Sequence, residues 1–116
     1  MPKSIPTTRK GYTHAVNIGD KSVYITANLD MMGEFKELFI KIGKEGTSLR
    51  VYDSVAILIS LCLQHGVPLE VIVEKLKGQT MQPNGVTNNR EIPMARSIPD
   101  YLARWLEMKF LKKETT

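Results

Sequence analysis

The side chains best suited to chemistry in this sequence gather in two glycine- and asparagine-rich stretches. Gly43-Lys44-Glu45-Gly46-Thr47-Ser48 joins an alternating segment to a helical one. Free amides of a helix's first turn, a lysine and two hydroxyls there suit a phosphate or carboxylate. The GxxxxGK spacing of a Walker loop is absent. The second stretch, Asn84 to Arg90, offers side-chain amides that can read a base edge or a ribose, and a guanidinium that can pair with phosphate. Lys44, Gly46, Thr47, Ser48, Asn84, Asn88, Asn89 and Arg90 are therefore the expected ligand contacts. Arg9 and His14, at the amino-terminal end, join them. Each stretch also has a plain structural reading: a capped loop for the first, and a solvated loop held by Asx turns for the second.

The remaining reactive residues point away from catalysis. With two histidines and one cysteine, neither metal-ligand spacing nor a nucleophile–base pair is apparent. The sequence thus predicts no catalytic residue, no metal and no cofactor. Cys62 lies among Leu58, Ile59, Leu61 and Leu63, which reads as a buried, inert thiol in a reducing cytoplasm. His65 precedes a glycine at a helix end, where a cation suits the dipole. Asp53 falls among apolar residues, so burial would oblige it to pair with Lys44, Arg96 or a backbone amide. Tyr101, Trp105 and Phe110 recur at helical spacing and read as core or an oligomer face.

Elements that would position these groups follow from the period of the apolar residues. Residues 1–10 hold two prolines and three basic residues and read as a flexible basic arm. Tyr12, His14, Val16 and Ile18 alternate with polar partners, as do Val23, Ile25, Ala27 and Leu29, with Gly19-Asp20 between them. Phe35 to Ile42 gives a third strand. The period then changes: Leu49, Tyr52, Val55, Ala56, Ile59 and Leu63 mark a helix that is apolar nearly all round over 55–63. Thr47 or Ser48 would cap it, and Val55, Ala56, Ile59 and Leu63 would be buried. Gly66 would end it, Pro68 would open a second helix at its first position, and Gly78 would end that one in the same way. Residues 79–92 form one long irregular loop. A last helix covers about 94–112, with Pro99 either in its first turn or at a kink. Segregated strands and helices predict an α+β fold: a three-stranded antiparallel meander followed by three helices packed on one face. Residues 11–112 would form one domain, with 113–116 as a tail.

Several blocks together carry a family signature. They are Arg9-Lys10-Gly11-Tyr12-Thr13-His14, Phe39 to Gly46 with Asp53-Ser54-Val55-Ala56, and Gln64-His65-Gly66-Val67-Pro68-Leu69-Glu70-Val71. Pro83 to Asn89, Ser97-Ile98, Asp100-Tyr101 and Arg104-Trp105-Leu106 continue the series. In order and spacing the chain resembles the TSCPD domain near the C-terminus of adenosylcobalamin-dependent (class II) ribonucleotide reductases. Arg50-Val51-Tyr52 and Pro99 depart from the family pattern.

The resemblance implies an α+β fold and a place in cytoplasmic nucleotide metabolism. It does not imply reductase activity, because the radical cysteines and the cobalamin pocket of those enzymes belong to a separate barrel domain. The reading is a non-catalytic accessory module that binds a nucleotide-like small molecule or a ribonucleotide reductase subunit, without a membrane. The formal charge of +4 favours anionic partners. A homo-oligomer is expected from the exposed edges of a three-stranded sheet. The alternative is a free-standing phage or mobile-element protein that sequesters a nucleotide signal molecule.

Overall fold

A computed structural model describes residues 5–43 and 50–111. The chain runs through strands β1 (Gly11–Ile18), β2 (Lys21–Leu29) and β3 (Phe35–Ile42), helices α1 (Val51–Gln64) and α2 (Leu69–Leu76), strands β4 (Gly85–Val86) and β5 (Met94–Ala95), and helix α3 (Ile98–Leu106). A wider turn at Glu107–Leu111 continues α3. The fold is α+β, a three-stranded antiparallel sheet followed by three helices, as the periodicity predicts. The chain divides into two compact units, residues 1–15 with 22–67, and residues 16–21 with 68–116.

The first unit is built on the sheet, whose order is β1-β2-β3. Alternation puts Val23, Ile25, Ala27, Leu38 and Ile40 inward, each at most 4% exposed, while Tyr24 and Phe39 face out. Residues Val23 to Asn28 pair in register with Ile42 to Glu37, and the register shifts at Leu29. Helix α1 packs against β3. Its Ser60 hydroxyl accepts from the Leu38 amide at 2.8 Å and donates to the Ala56 carbonyl at 2.9 Å. Gln64 Nε2 donates to the Lys36 carbonyl at 3.1 Å. Helix side chains thus occupy backbone groups of β3 that face away from β2, which blunts that sheet edge. The prediction that the sheet leaves its edges open is corrected here for β3.

Helix α1 also departs from the predicted central helix. Tyr52, Ala56, Ile59, Ser60 and Leu63 are buried, whereas Val55 is only half-buried. Val51, Ile57, Leu58 and Leu61 are each about half exposed or more. At about 100° per residue these four share roughly a third of the helix circumference, opposite the buried stripe. Apolar composition all round therefore did not mean burial all round. Asp53 is exposed in the first turn, where it suits the helix dipole, so it needs none of the partners proposed for a buried carboxylate. The expected caps Thr47 and Ser48 lie outside the described residues. Gly66, at φ +93, ends α1. The amides of Gly66 and Val67 donate to Leu63 and Cys62 carbonyls, the Schellman pattern that the glycine predicts.

In the second unit α2 packs against α3. Pro68 stands one place before the first helical residue of α2 rather than in it. Ser97 caps α3, its hydroxyl accepting from the Asp100 amide at 3.0 Å, and Pro99 falls in the first turn. Ile98, Tyr101, Leu102, Trp105 and Leu106 are at most 3% exposed, and Phe110 meets Trp105 edge-on at 6.3 Å. The stretch read as one irregular loop contains a small antiparallel ladder, Gly85 with Ala95 and Val86 with Met94. No helix among the described residues is long and apolar enough to cross a membrane.

Candidate functional site

A buried carboxylate organises the second unit, and the sequence pattern did not single it out. Asp100 is fully buried. It accepts from the Gly78 amide at 2.7 Å, the Arg96 amide at 3.0 Å and Arg104 Nε at 2.9 Å. Burial by itself pushes this carboxyl up. The two amides and the adjacent guanidinium outweigh it and hold the group below its ordinary value. Gly78, at φ +90, therefore ends α2 differently from Gly66: its amide goes to Asp100 rather than to a helix carbonyl. The Ser97 hydroxyl donates to the Gln79 carbonyl at 2.7 Å, tying the same segment down from the other side. Ser97 and Asp100 share α3's first turn, so a capping serine with an acid three residues on was the available signal.

On this frame sits the 84–90 segment. Thr87 is buried, and its hydroxyl donates to the Ile92 carbonyl and accepts from the Asn89 amide. Asn89 Nδ2 donates to the Tyr101 hydroxyl at 2.8 Å and its Oδ1 accepts from the Glu91 amide at 3.0 Å. Burial pushes the Tyr101 phenol above its ordinary value in spite of that bond. Asn88 Oδ1 accepts from the Asn17 amide at 2.9 Å, and Gly19 donates to the Val86 carbonyl at 3.0 Å. Asn84 Nδ2 donates to the Met81 carbonyl at 3.3 Å. The asparagines thus spend part of their bonding capacity on shaping the loop. Arg90 is exposed, and no hydrogen bond or ion pair holds its guanidinium among the described residues.

Of the other expected contacts, Arg9 and His14 belong to the first unit. Arg9 Nε meets Glu37 Oε1 at 2.7 Å, and Glu37 Oε1 also accepts from Asn28 at 2.9 Å, so the Arg9 charge is already countered within the first unit. His14 lies half-buried on β1. Lys44, Gly46, Thr47 and Ser48 lie outside the described residues. Among the described residues no three His, Cys, Asp or Glu side chains cluster to hold a metal ion.

A cleft of about 290 Å³ in the second unit lies between the strand β5 region and α3's end. Its cations are already paired, Lys77 with Glu107 at 2.6 Å and Arg104 with Asp100 at 2.9 Å. Glu91 adds a further negative charge to its wall. An anion gains little there.

Comparison with known proteins agrees with the residue blocks. The TSCPD domain model matches residues 1–110, across both units. The chain is similar to the vitamin B12-dependent ribonucleotide reductase of Rhodopirellula baltica, at 39% identity over 108 residues, covering 92% of this chain and 10% of that protein. Its counterpart in Streptantibioticus cattleyicolor is 38% identical over 114 residues, 97% of this chain and 19% of that protein. The Agrobacterium fabrum reductase is 39% identical over 111 residues, 94% of this chain and 9% of that protein. The chain therefore spans between about a tenth and a fifth of the length of these curated relatives. No solved structure matches the chain. On the extent of the family match and these identities, the chain belongs to the TSCPD domain family.

Proposed function

We propose that this chain is a non-catalytic accessory module that binds a nucleotide-like anion through the 84–90 segment, with Arg90 as the charged anchor. The observation that carries the reading is an exposed guanidinium that no described residue engages, at the end of a loop whose backbone is pinned by Thr87, Asn88 and Asn89. A loop fixed before binding loses little conformational freedom when the ligand arrives. The Asn88 Nδ2, which no described residue engages, and the side-chain oxygen of Asn84 supply a donor and an acceptor for a sugar or base edge. Lys44, Gly46, Thr47 and Ser48 are proposed to contact the anion as well, tested by Lys44→Ala. Arg9 and His14 stay in the proposal as weaker contributors, since Arg9 would first have to leave Glu37. Within this reading the chain works in the cytoplasm. The free-standing sequestering role would use the same loop and differs only in ligand. Calorimetry with a nucleoside triphosphate tests the proposal: wild type binds, and Arg90→Ala weakens binding about tenfold or more with the melting temperature unchanged.

A second reading is favoured by the exposed apolar flank of α1. Val51, Ile57, Leu58 and Leu61 share one exposed flank of the helix, and exposed apolar side chains gathered on one face can mark a protein contact. We infer that this flank docks on a ribonucleotide reductase subunit, or on a second copy of this chain to give a homo-oligomer. Co-purification with such a subunit, and light scattering of the chain alone, separate the two. A Leu58→Asp variant that folds normally should lose whichever contact exists.

A further inference from the structure

The first unit holds a buried acceptor that no described residue uses. Asp30 follows the last residue of β2 and shapes the turn into β3. Its Oδ1 accepts from the Met32 amide at 2.8 Å and from the Glu34 amide at 2.9 Å, while the Gly33 amide donates to its carbonyl at 3.0 Å. The carboxylate is only 6% exposed, yet Oδ2 has no hydrogen-bond partner among the described residues. Buried polar atoms are nearly always paired, so an orphan carboxylate oxygen marks a place where a donor is missing. Asp30 forms part of the wall of a cleft of about 460 Å³. That volume is within the range of small-molecule sites.

The rest of the wall specifies what would fit. Leu29 and Pro6 are apolar, and Met31 and Met32 are 78% and 77% exposed, offering flexible thioether surfaces to a flat ring. Lys10 borders the same cleft, and no ion pair occupies its ammonium among the described residues. A ligand matching this set carries N–H donors on a planar body and an anionic group at its far end. Among the common bases, guanine alone presents two adjacent donors, N1–H and the 2-amino group. Adenine, cytosine and uracil each set an acceptor beside their donor, which a carboxylate repels. We propose that this cleft binds a guanine nucleotide, with the base's N–H edge on Asp30 Oδ2 and the phosphate on Lys10. The inference extends the nucleotide-binding reading to a second surface and does not involve Arg90.

Calorimetry on the full chain with nucleosides isolates the base from the phosphate. Guanosine should bind and adenosine should bind about tenfold more weakly or not at all. Asp30→Asn keeps Oδ1 for the turn and replaces Oδ2 with a donor, so guanosine binding should fall at least about tenfold while the melting temperature holds or rises. Arg90→Ala should leave guanosine binding unchanged. Lys10→Ala should weaken guanosine monophosphate but not guanosine, and this variant reads the same cleft if Asp30→Asn does not fold. Equal binding of guanosine and adenosine overturns the inference, as does full guanosine affinity in Asp30→Asn or an equal Lys10→Ala effect on both ligands. No guanosine binding up to millimolar overturns it too, whatever triphosphates do at Arg90.

Discussion

Removing the Asp100 carboxylate should unfasten the second unit. Asp100→Ala deletes the acceptor for the Gly78 and Arg96 amides and for Arg104. Hydrogen bonds to a charged group contribute about 1.5–3 kcal/mol each. The two amide bonds therefore sum to roughly 3–6 kcal/mol. The Arg104 bond adds less than about 1 kcal/mol, because its side chain is 37% exposed and screened by water. Gly78 and Arg96 lie at the surface and regain some water, which places the loss near the lower end, at about 3–4 kcal/mol. For a chain of this length that is a fall in melting temperature of roughly 10–20 °C.

The acid side gives an independent check on the same carboxylate. It titrates below its ordinary value of 3.8 in the folded chain. As pH falls through about 4, the unfolded chain takes up the proton first, so the stabilisation is full above that pH and declines below it. The stability gap between wild type and Asp100→Asn should accordingly be constant from pH 7 to about 5 and close as pH drops below 4. Urea unfolding at a series of pH values measures both effects. A loss under about 1 kcal/mol in Asp100→Ala, or a gap that does not narrow in acid, refutes the role assigned to Asp100.

Three further substitutions test other joints of the fold. Ser60→Ala leaves the Leu38 amide without the acceptor it has at 2.8 Å and should cost about 1–3 kcal/mol in chemical denaturation. Gly11→Ala would bring a methyl carbon to 2.2 Å from the Ala27 carbonyl oxygen and 2.8 Å from the Asn28 Cα. Because both obstacles are backbone, the variant should lose more than about 2 kcal/mol or fail to accumulate as soluble protein. Ile59→Asp sets an unpaired charge in a site only 7% exposed and should abolish soluble expression, and a stable variant would contradict the placement of α1.

Much of this arrangement was legible in the order of residues because it rests on local periodicity. Alternation located β1, β2 and β3, and the glycines at 66 and 78 located the two helix ends, since both need positive φ. The short β4–β5 ladder escaped because two-residue strands leave no period to detect. Burial along α1 was overestimated because composition does not tell which flank a sheet will cover. Asp53 drew attention for its apolar neighbours in sequence, whereas the buried carboxylates among the described residues are Asp30 and Asp100. Asp30 gathers amides two and four residues on, a local turn that alternation does not reveal, whereas Asp100 draws the Gly78 amide from 22 residues away, which sequence spacing does not carry.

The asparagine loop shows the same limit from the functional side. Its residue types suggested ligand contacts, and three of its amides turn out to be partly used in holding the loop's shape. What favours Arg90 is its position: an exposed guanidinium that nothing among the described residues engages stands at the end of the loop that Thr87, Asn88 and Asn89 hold in shape.

The central claim, a nucleotide-like anion held by Arg90, is tested most directly by titrating a nucleoside triphosphate into wild type and Arg90→Ala in a calorimeter. The account predicts saturable binding by wild type that weakens with added salt, and a loss of about ten- to a hundredfold in the variant at unchanged melting temperature. Binding of equal strength in both proteins, or no heat from wild type at millimolar ligand, would contradict it.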